Sequence, residues 1–185
     1  MTERRRVQID GKALNREAPS APEAEAAADC ACPRLDADDW HDVESDWSDI
    51  TFVRSTTNAV LGVPVGYDSA RRELREKAAK LGASVPEDAL LLLGSGRFRR
   101  PIMLEVENAP VAGKGIERPR GIAFTRLVEA PWGAMRKTVD EARDLARERY
   151  GRNPDALWVW YLTCRQCSRE RNFETLVVAH YRCPK

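Results

Sequence analysis

The strongest constraint on this chain is an order of predicted elements that occurs twice. In the first half, residues 50–65 are rich in β-forming residues. Ala70, Leu74, Ala78 and Leu81 then recur at the spacing of one helical face, and Gly82 ends the pattern. Two short strands follow at 89–94 and 101–108, joined by a turn with the sequence SGRFRR.

The second half has the same order. A strand is predicted at 121–129, and Pro131 then favours the first turn of a helix that ends near Gly151. Two strands follow, at 156–163 and 174–181. The apolar face of this second helix consists of Trp132, Met135, Val139, Ala142 and Ala146.

Two tandem strand-helix-strand-strand units predict an α+β fold. Three strands from each half would form one antiparallel sheet with two helices on one face, related by a pseudo-two-fold axis. The half-repeats are about 50–108 and 120–181, within a domain at 29–185. A cleft between the halves is then the expected place for a small-molecule site.

The segment before the first half differs in composition. Residues 1–28 contain few large apolar side chains, so we predict a disordered tail. Order should begin near Cys30, and the acidic stretch 36–49 carries Trp40 and Trp47, which could dock on the core as an arm.

Composition narrows the function classes. With 30 Lys+Arg against 29 Asp+Glu among 185 residues, the formal net charge is +1, so a nucleic-acid partner is not expected. No apolar run approaches the roughly 20 residues that span a bilayer, so we expect no membrane partner. No apolar segment follows Arg4–Arg6, so no secretory signal is expected and we predict a cytoplasmic protein.

Cysteine and tryptophan motifs near both ends of the domain are similar to those of a known family. Cys32-Pro33 is followed by Trp40, and the late strand WVWYLTC runs into Cys164-Arg165-Gln166-Cys167. With the tandem order, these features resemble the GyrI-like small-molecule-binding domain of the SHS2 superfamily. They are most similar to a group of bacterial GyrI-like proteins often labelled only "hydrolase". The resemblance covers roughly residues 30–181.

The resemblance implies a cleft for bulky apolar or cationic compounds. In some relatives it implies hydrolytic opening of strained, DNA-alkylating rings, which would fit detoxification or self-resistance. The better-known GyrI-like binders have a glutamate two residues before a tyrosine on the strand after the second helix. Here Tyr161 is present, but Val159 occupies the glutamate position.

The cysteines suggest a metal site. A CxxC in a turn between strands places two thiolates around one tetrahedral ion, and a CxC in the arm could supply two more. Four sulfur ligands fit a structural zinc ion that clamps the arm to the last hairpin, because no position remains for a catalytic water. A redox dithiol, a disulfide and inert cysteines are the alternatives. The predicted ligands are Cys30, Cys32, Cys164 and Cys167, and either Cys183 or His180 could replace one of them.

The aromatic strand is apolar on both sides. Trp158 and Trp160 point to one face, and Val159 and Tyr161 point to the other. One face must meet the helices, and the other is either covered by the arm or lines an aromatic pocket for flat or cationic ligands. A plain core is the alternative. The predicted ligand-binding residues are Trp132, Trp158, Trp160 and Glu129, although Glu129 could simply sit beside the N-terminus of the second helix.

Carboxylates are the main candidates for catalysis. Glu105 and Glu107 share one face of the strand 101–108, where either could bind a cationic group or act as general base on a water. The alternative is a solvated strand face paired with Arg99 or Arg100. A general base at His41 or His180 is less favoured. The predicted catalytic residues are Glu105, Glu107 and Tyr161.

Two function classes follow. The chain is either a hydrolase of an electrophilic small molecule or a binding protein that sequesters or senses a hydrophobic or cationic compound. No nucleophile elbow, Rossmann fingerprint or HExxH motif is present, which argues against several common enzyme classes. A zinc-bearing interaction module that uses Arg165, Arg169 and Arg171 is a third reading.

Overall fold

The computed structural model of the chain describes residues 32–110, 113–131, 133–164 and 166–183. Within these residues the fold is α+β, with one open antiparallel sheet of nine strands and three helices. The predicted α+β class with an antiparallel sheet is therefore confirmed, whereas the GyrI-like tandem repeat and its pseudo-two-fold cleft stay predictions. The predicted tail at 1–28 lies outside the described residues, and the domain limits 29–185 stay a prediction.

The elements follow the predicted order, with additions. The helices are α1 (Ala37–Trp40), α2 (Tyr67–Lys80) and α3 (Met135–Tyr150). The strands are β1 (Val43–Asp46), β2 (Thr51–Val60), β3 (Val63–Val65), β4 (Leu91–Gly94), β5 (Arg99–Val106), β6 (Ile116–Glu117), β7 (Ile122–Glu129), β8 (Ala156–Tyr161) and β9 (Glu174–Tyr181). The sheet order is β1-β7-β9-β8-β4-β5-β2-β3, and β6 pairs with β2.

Both long helices end where the sequence predicts. α2 buries Ala70, Leu74 and Ala78 and stops before Gly82, whose positive φ suits glycine. α3 ends at Gly151, which is also left-handed. Its start differs from the prediction, because Pro131 accepts a hydrogen bond from the Ala134 N–H in a separate turn before the helix.

The two long helices lie on the same face of the sheet, which we call the helix face. Directly paired residues of antiparallel strands point to the same side, so the register can be followed across the sheet. Ser55 of β2 donates a hydrogen bond to Glu73 of α2. Phe124 of β7 clusters with Ala146 of α3, and the register places Ser55 and Phe124 on one side.

Residues 32–50, here called the N-terminal arm, cover the opposite face, here called the arm face. Leu35, Trp40 and Trp47 of the arm are buried in the main core. The Trp47 ring lies 5.5 Å from Phe52 on β2 and 5.2 Å from His180 on β9. Three strands separate β2 from β9 in the sheet order, so the sheet must curl around Trp47.

Among the helices of the described ranges, none is long and apolar enough to cross a membrane.

Candidate functional site

A cavity of about 320 Å³ opens where the arm meets the ends of β2 and β5. Asp49 and Ile50 line it from the arm, Thr51 lines it from the start of β2, and residues 105–109 line it from β5 and the chain after it. Glu105 and Glu107 therefore share one cavity, which agrees with the prediction from their two-residue spacing that they point to the same side. This is a small site with several acidic groups.

Glu105 is a buried carboxylate. It is 2% exposed, and its Oε2 accepts a hydrogen bond from the Leu90 N–H at 3.1 Å. The expected alternative of a solvated face paired with Arg100 does not describe Glu105, since Arg100 donates to the Gly94 and Gly62 carbonyls instead. Glu107 is exposed, as that alternative predicts.

Tyr161 lies on the helix face, whereas Glu105 lies on the arm face. The Arg100 Nη1 donates to the Tyr161 hydroxyl at 3.4 Å, and the Tyr67 ring packs edge-on at 6.1 Å. Burial raises the pKa of Tyr67. The three predicted catalytic residues are thus not brought together, because the sheet separates Tyr161 from the two glutamates.

The predicted aromatic walls have a different setting. Trp158 and Trp160 are buried on the arm face, in the same core cluster as Trp40 and Trp47. They do not line the cavity at Glu105. Trp132 lies outside the described residues.

Glu129 ends β7 six residues before α3 begins, and it accepts a hydrogen bond from the Asn172 side chain at 2.9 Å. This contact ties it to the turn before β9. Neither a ligand role nor a role at the helix N-terminus is apparent from that contact.

Three predicted metal ligands come together at the other candidate site. The Sγ atoms of Cys32, Cys164 and Cys167 all lie within 4.8 Å of one another, close enough to hold a metal ion. Cys164 Sγ and Cys167 Sγ are 3.8 Å apart and not bonded. The Cys164 N–H also donates to Cys32 Sγ at 3.2 Å, which joins the arm to the cysteine turn. Cys30 lies outside the described residues.

Neither suggested replacement ligand belongs to this group. His180 is buried on β9, where it hydrogen bonds to the Arg120 carbonyl and stacks on Trp47. Burial lowers the pKa of His180, which favours the neutral ring. Cys183 is exposed after the end of β9. His41, the other weaker base candidate, is exposed and hydrogen bonds to the Leu127 carbonyl.

An arginine also connects the arm to the cysteine turn. Arg171 pairs with Glu174 and donates to the Pro33 carbonyl at 2.7 Å. Its side chain is only 10% exposed, so it is committed to this contact and not to an outside phosphate. Arg165 lies outside the described residues, and Arg169 is exposed.

Sequence reasoning missed two of the residues that shape these sites. Asp49 lines the cavity, and Arg171 joins the arm to the turn. Asp49 gave no signal beyond belonging to an acidic stretch. Arg171 was noted only as part of a basic turn, and a buried role could not be distinguished from a surface one.

One family comparison gives a match. A family model described as "Bacterial hydrolase" matches residues 22–180, which is most of the chain. No protein with a curated function matches the sequence. The expected similarity to a hydrolase-labelled bacterial group is confirmed, whereas the GyrI-like assignment stays a prediction.

Proposed function

We propose that this chain, which belongs to the bacterial hydrolase family, hydrolyses a small electrophilic molecule in the cavity lined by Glu105 and Glu107. The observation that carries the proposal is a buried carboxylate in the wall of a cavity of about 320 Å³. Ligand pockets range from about 300 to 1,000 Å³, so this volume favours a small substrate over a polymer.

The charge of the cavity narrows the substrate class. Asp49, Glu105 and Glu107 line it together, and none of the other lining residues is basic. These carboxylates would repel an anionic substrate, whereas they would attract a cationic one and would not repel a neutral one. A strained electrophilic ring is the finer proposal, and it rests on the resemblance to GyrI-like proteins.

The proposed step is attack by water with general-base help. Glu105 takes one proton from the water as its oxygen forms a bond to the electrophilic carbon. The bond from that carbon to the leaving atom breaks, and its electron pair stays with the leaving atom. Glu107, at the exposed edge, would hold a cationic group of the substrate.

The repeat remains part of the proposal. The order β7-β9-β8-β4-β5-β2 arranges three strands of one half and three of the other symmetrically about the β8–β4 pair. This arrangement supports two repeats related by a pseudo-two-fold axis. The cavity at Glu105 lies in the first half, so a cleft between the halves would be a separate feature.

We further propose a structural zinc ion at the cysteine group, with Cys30 as the fourth ligand. In a tetrahedral site with Zn–S bonds of about 2.3 Å, two sulfurs lie about 3.8 Å apart. Cys164 and Cys167 have that separation of 3.8 Å. A bond between them would need about 2.05 Å. A cytoplasmic location stays part of the proposal, since zinc–thiolate sites suit a compartment that keeps thiols reduced.

The test of hydrolysis compares wild type with Glu105→Gln and Glu107→Gln. Small esters, lactones and epoxides, each with and without a trimethylammonium group, are incubated with the protein and followed by NMR. Glu105→Gln should lower kcat by about 10²–10⁴ with binding retained, because the amide cannot accept the proton. Glu107→Gln should raise KM for the trimethylammonium compounds only.

The alternative is a protein that binds such a compound without reaction. In that case wild type would turn over none of the compounds, and both substitutions would change only the binding affinity. Equal hydrolysis by wild type and Glu105→Gln would exclude Glu105 as the base.

A further inference from the structure

Exposed apolar side chains are concentrated at one corner of the molecule. Of the six large apolar residues that are exposed in the described part of the chain, five belong to the β2–β3 hairpin or the β4–β5 turn. The two segments are joined, because the Gly62 N–H donates to the Arg97 carbonyl and the Ala59 N–H donates to the Phe98 carbonyl. We call this set the apolar corner: Val60, Leu61, Val63, Val65 and Phe98.

Leu61 is unusual in both its backbone and its exposure. It is 73% exposed and has a φ of 50°, and the next residue, Gly62, has a φ of 88°. Two left-handed residues in a two-residue hairpin loop form a turn that strongly prefers Asn-Gly. A branched apolar side chain here is strained and gains no burial within the described chain. Local rules of this kind are broken most often at functional positions.

The corner is also basic. Arg97 stacks its guanidinium 5.2 Å from the centre of the Phe98 ring, and Arg99 pairs with Asn58 on the same sheet face as Val60. Within the described residues, Arg97 and Arg99 form no ion pair. The segments 51–67 and 89–104 contain no acidic residue. An anionic partner would therefore meet no repulsion from these segments.

Hydrogen bonds hold the apolar corner in place. Arg100 donates to the Gly62 and Gly94 carbonyls, at 2.8 and 2.6 Å, so the hairpin is braced against β4.

Pro64 occupies the centre of the edge strand β3, which blocks the addition of another strand there. Five side chains are also far fewer than the roughly 20–30 residues per side of a standard protein interface. A bilayer interface, in contrast, adapts to a small convex tip and offers both apolar depth and negative charge.

We propose that the apolar corner binds the surface of a membrane rich in anionic lipids, with Leu61 and Phe98 inserted and Arg97 and Arg99 at the headgroups. The expectation of no membrane partner was derived from spanning length, whereas this contact needs no span. The proposal is independent of the hydrolytic site, which lies at the opposite end of β5.

The test is co-sedimentation of the full chain with vesicles. Wild type should bind vesicles of equal phosphatidylcholine and phosphatidylglycerol, and binding should weaken with salt and be absent on pure phosphatidylcholine. Arg97→Gln/Arg99→Gln should lower the affinity about 25-fold, about fivefold per arginine. Leu61→Asn should also reduce binding while raising thermal stability, because it creates the preferred Asn-Gly turn.

Phe98→Ser gives a second apolar variant, and Ile122→Ser, at the sixth exposed apolar residue, is the matched control that should bind as wild type does. Thermal melts establish that each variant is folded. Failure of wild type to bind the anionic vesicles at 50 mM salt would overturn the proposal. The proposal would also be overturned if Ile122→Ser lost as much vesicle binding as Phe98→Ser does. Binding that depends on the two arginines but not on Leu61 and Phe98 would overturn it as well.

Discussion

Replacement of Trp47 by alanine tests whether the arm is part of the core. Trp47 is 2% exposed, and its ring contacts both Phe52 and His180. Truncation of a buried tryptophan to alanine costs about 3–5 kcal/mol. Aromatic pairs contribute about 0.5–1.5 kcal/mol each beyond burial, so the lower end of that range does not apply. We expect Trp47→Ala to lower the free energy of unfolding by about 4 kcal/mol.

The measurement is urea unfolding followed by circular dichroism, with thermal melts as a second readout. A loss of about 4 kcal/mol corresponds to a fall in Tm of about 8–16 °C for a chain of this size. Phe98→Ala is the matched control, because Phe98 is an aromatic residue at 65% exposure and should change stability by less than about 0.5 kcal/mol. A Trp47→Ala loss no larger than that of the control would refute an arm that belongs to the core.

Three further predictions follow from the sites. Wild type should contain one zinc per chain by elemental analysis. Cys164→Ser should lose the zinc and also about 4 kcal/mol of stability, measured at a metal concentration 1,000 times Kd. Cys183→Ser, at an exposed cysteine outside the group, is the control and should retain the zinc. Burial lowers the pKa of His180 from about 6.5, so the unfolded chain binds a proton at a higher pH than the folded chain does. The free energy of unfolding should therefore decrease as the pH is lowered from about 6.5. In urea unfolding between pH 8 and pH 5, His180→Gln should show a weaker dependence of this free energy on pH than wild type. Tyr161→Phe should leave the kcat of any Glu105-dependent hydrolysis unchanged, because the sheet lies between the two residues. It should lower stability by about 0.5–1.5 kcal/mol, because it removes the hydrogen bond that Arg100 donates to the Tyr161 hydroxyl.

Where an element had a clear period and clear end signals, the sequence predicted it well. The last strand was predicted at 174–181 and is observed as Glu174–Tyr181. α2 and α3 have glycines at their C-terminal ends, and both ends were predicted correctly. The CxxC pair and Cys32 were also predicted as one group, because two thiols at knuckle spacing and a third from the arm fit one tetrahedral ion.

Elements formed by pairing rather than by side-chain pattern were missed. β1 has the sequence VESD, and its exposed residues give no strand period, yet it pairs with β7 through its backbone. The predicted strand 50–65 is a hairpin, and Leu61 in the turn gave no turn signal because leucine is rare there. Both features depend on neighbours that are distant in sequence or on strain, which a local pattern does not report.

The burial of Glu105 could not be read from alternation for a related reason. Alternation assigns a residue to a side of the sheet, but whether that side is wet depends on what covers it. Here the arm covers that side. Its first residue, Cys32, lies beside the cysteine turn, its Trp47 packs inside the curled sheet against His180, and its Asp49 lines the cavity. The cysteine group and the cavity are therefore connected by one short segment that is fixed at both ends. A metal at the cysteines would support the cavity wall without touching it, and this gives a structural zinc site a direct bearing on the proposed hydrolysis.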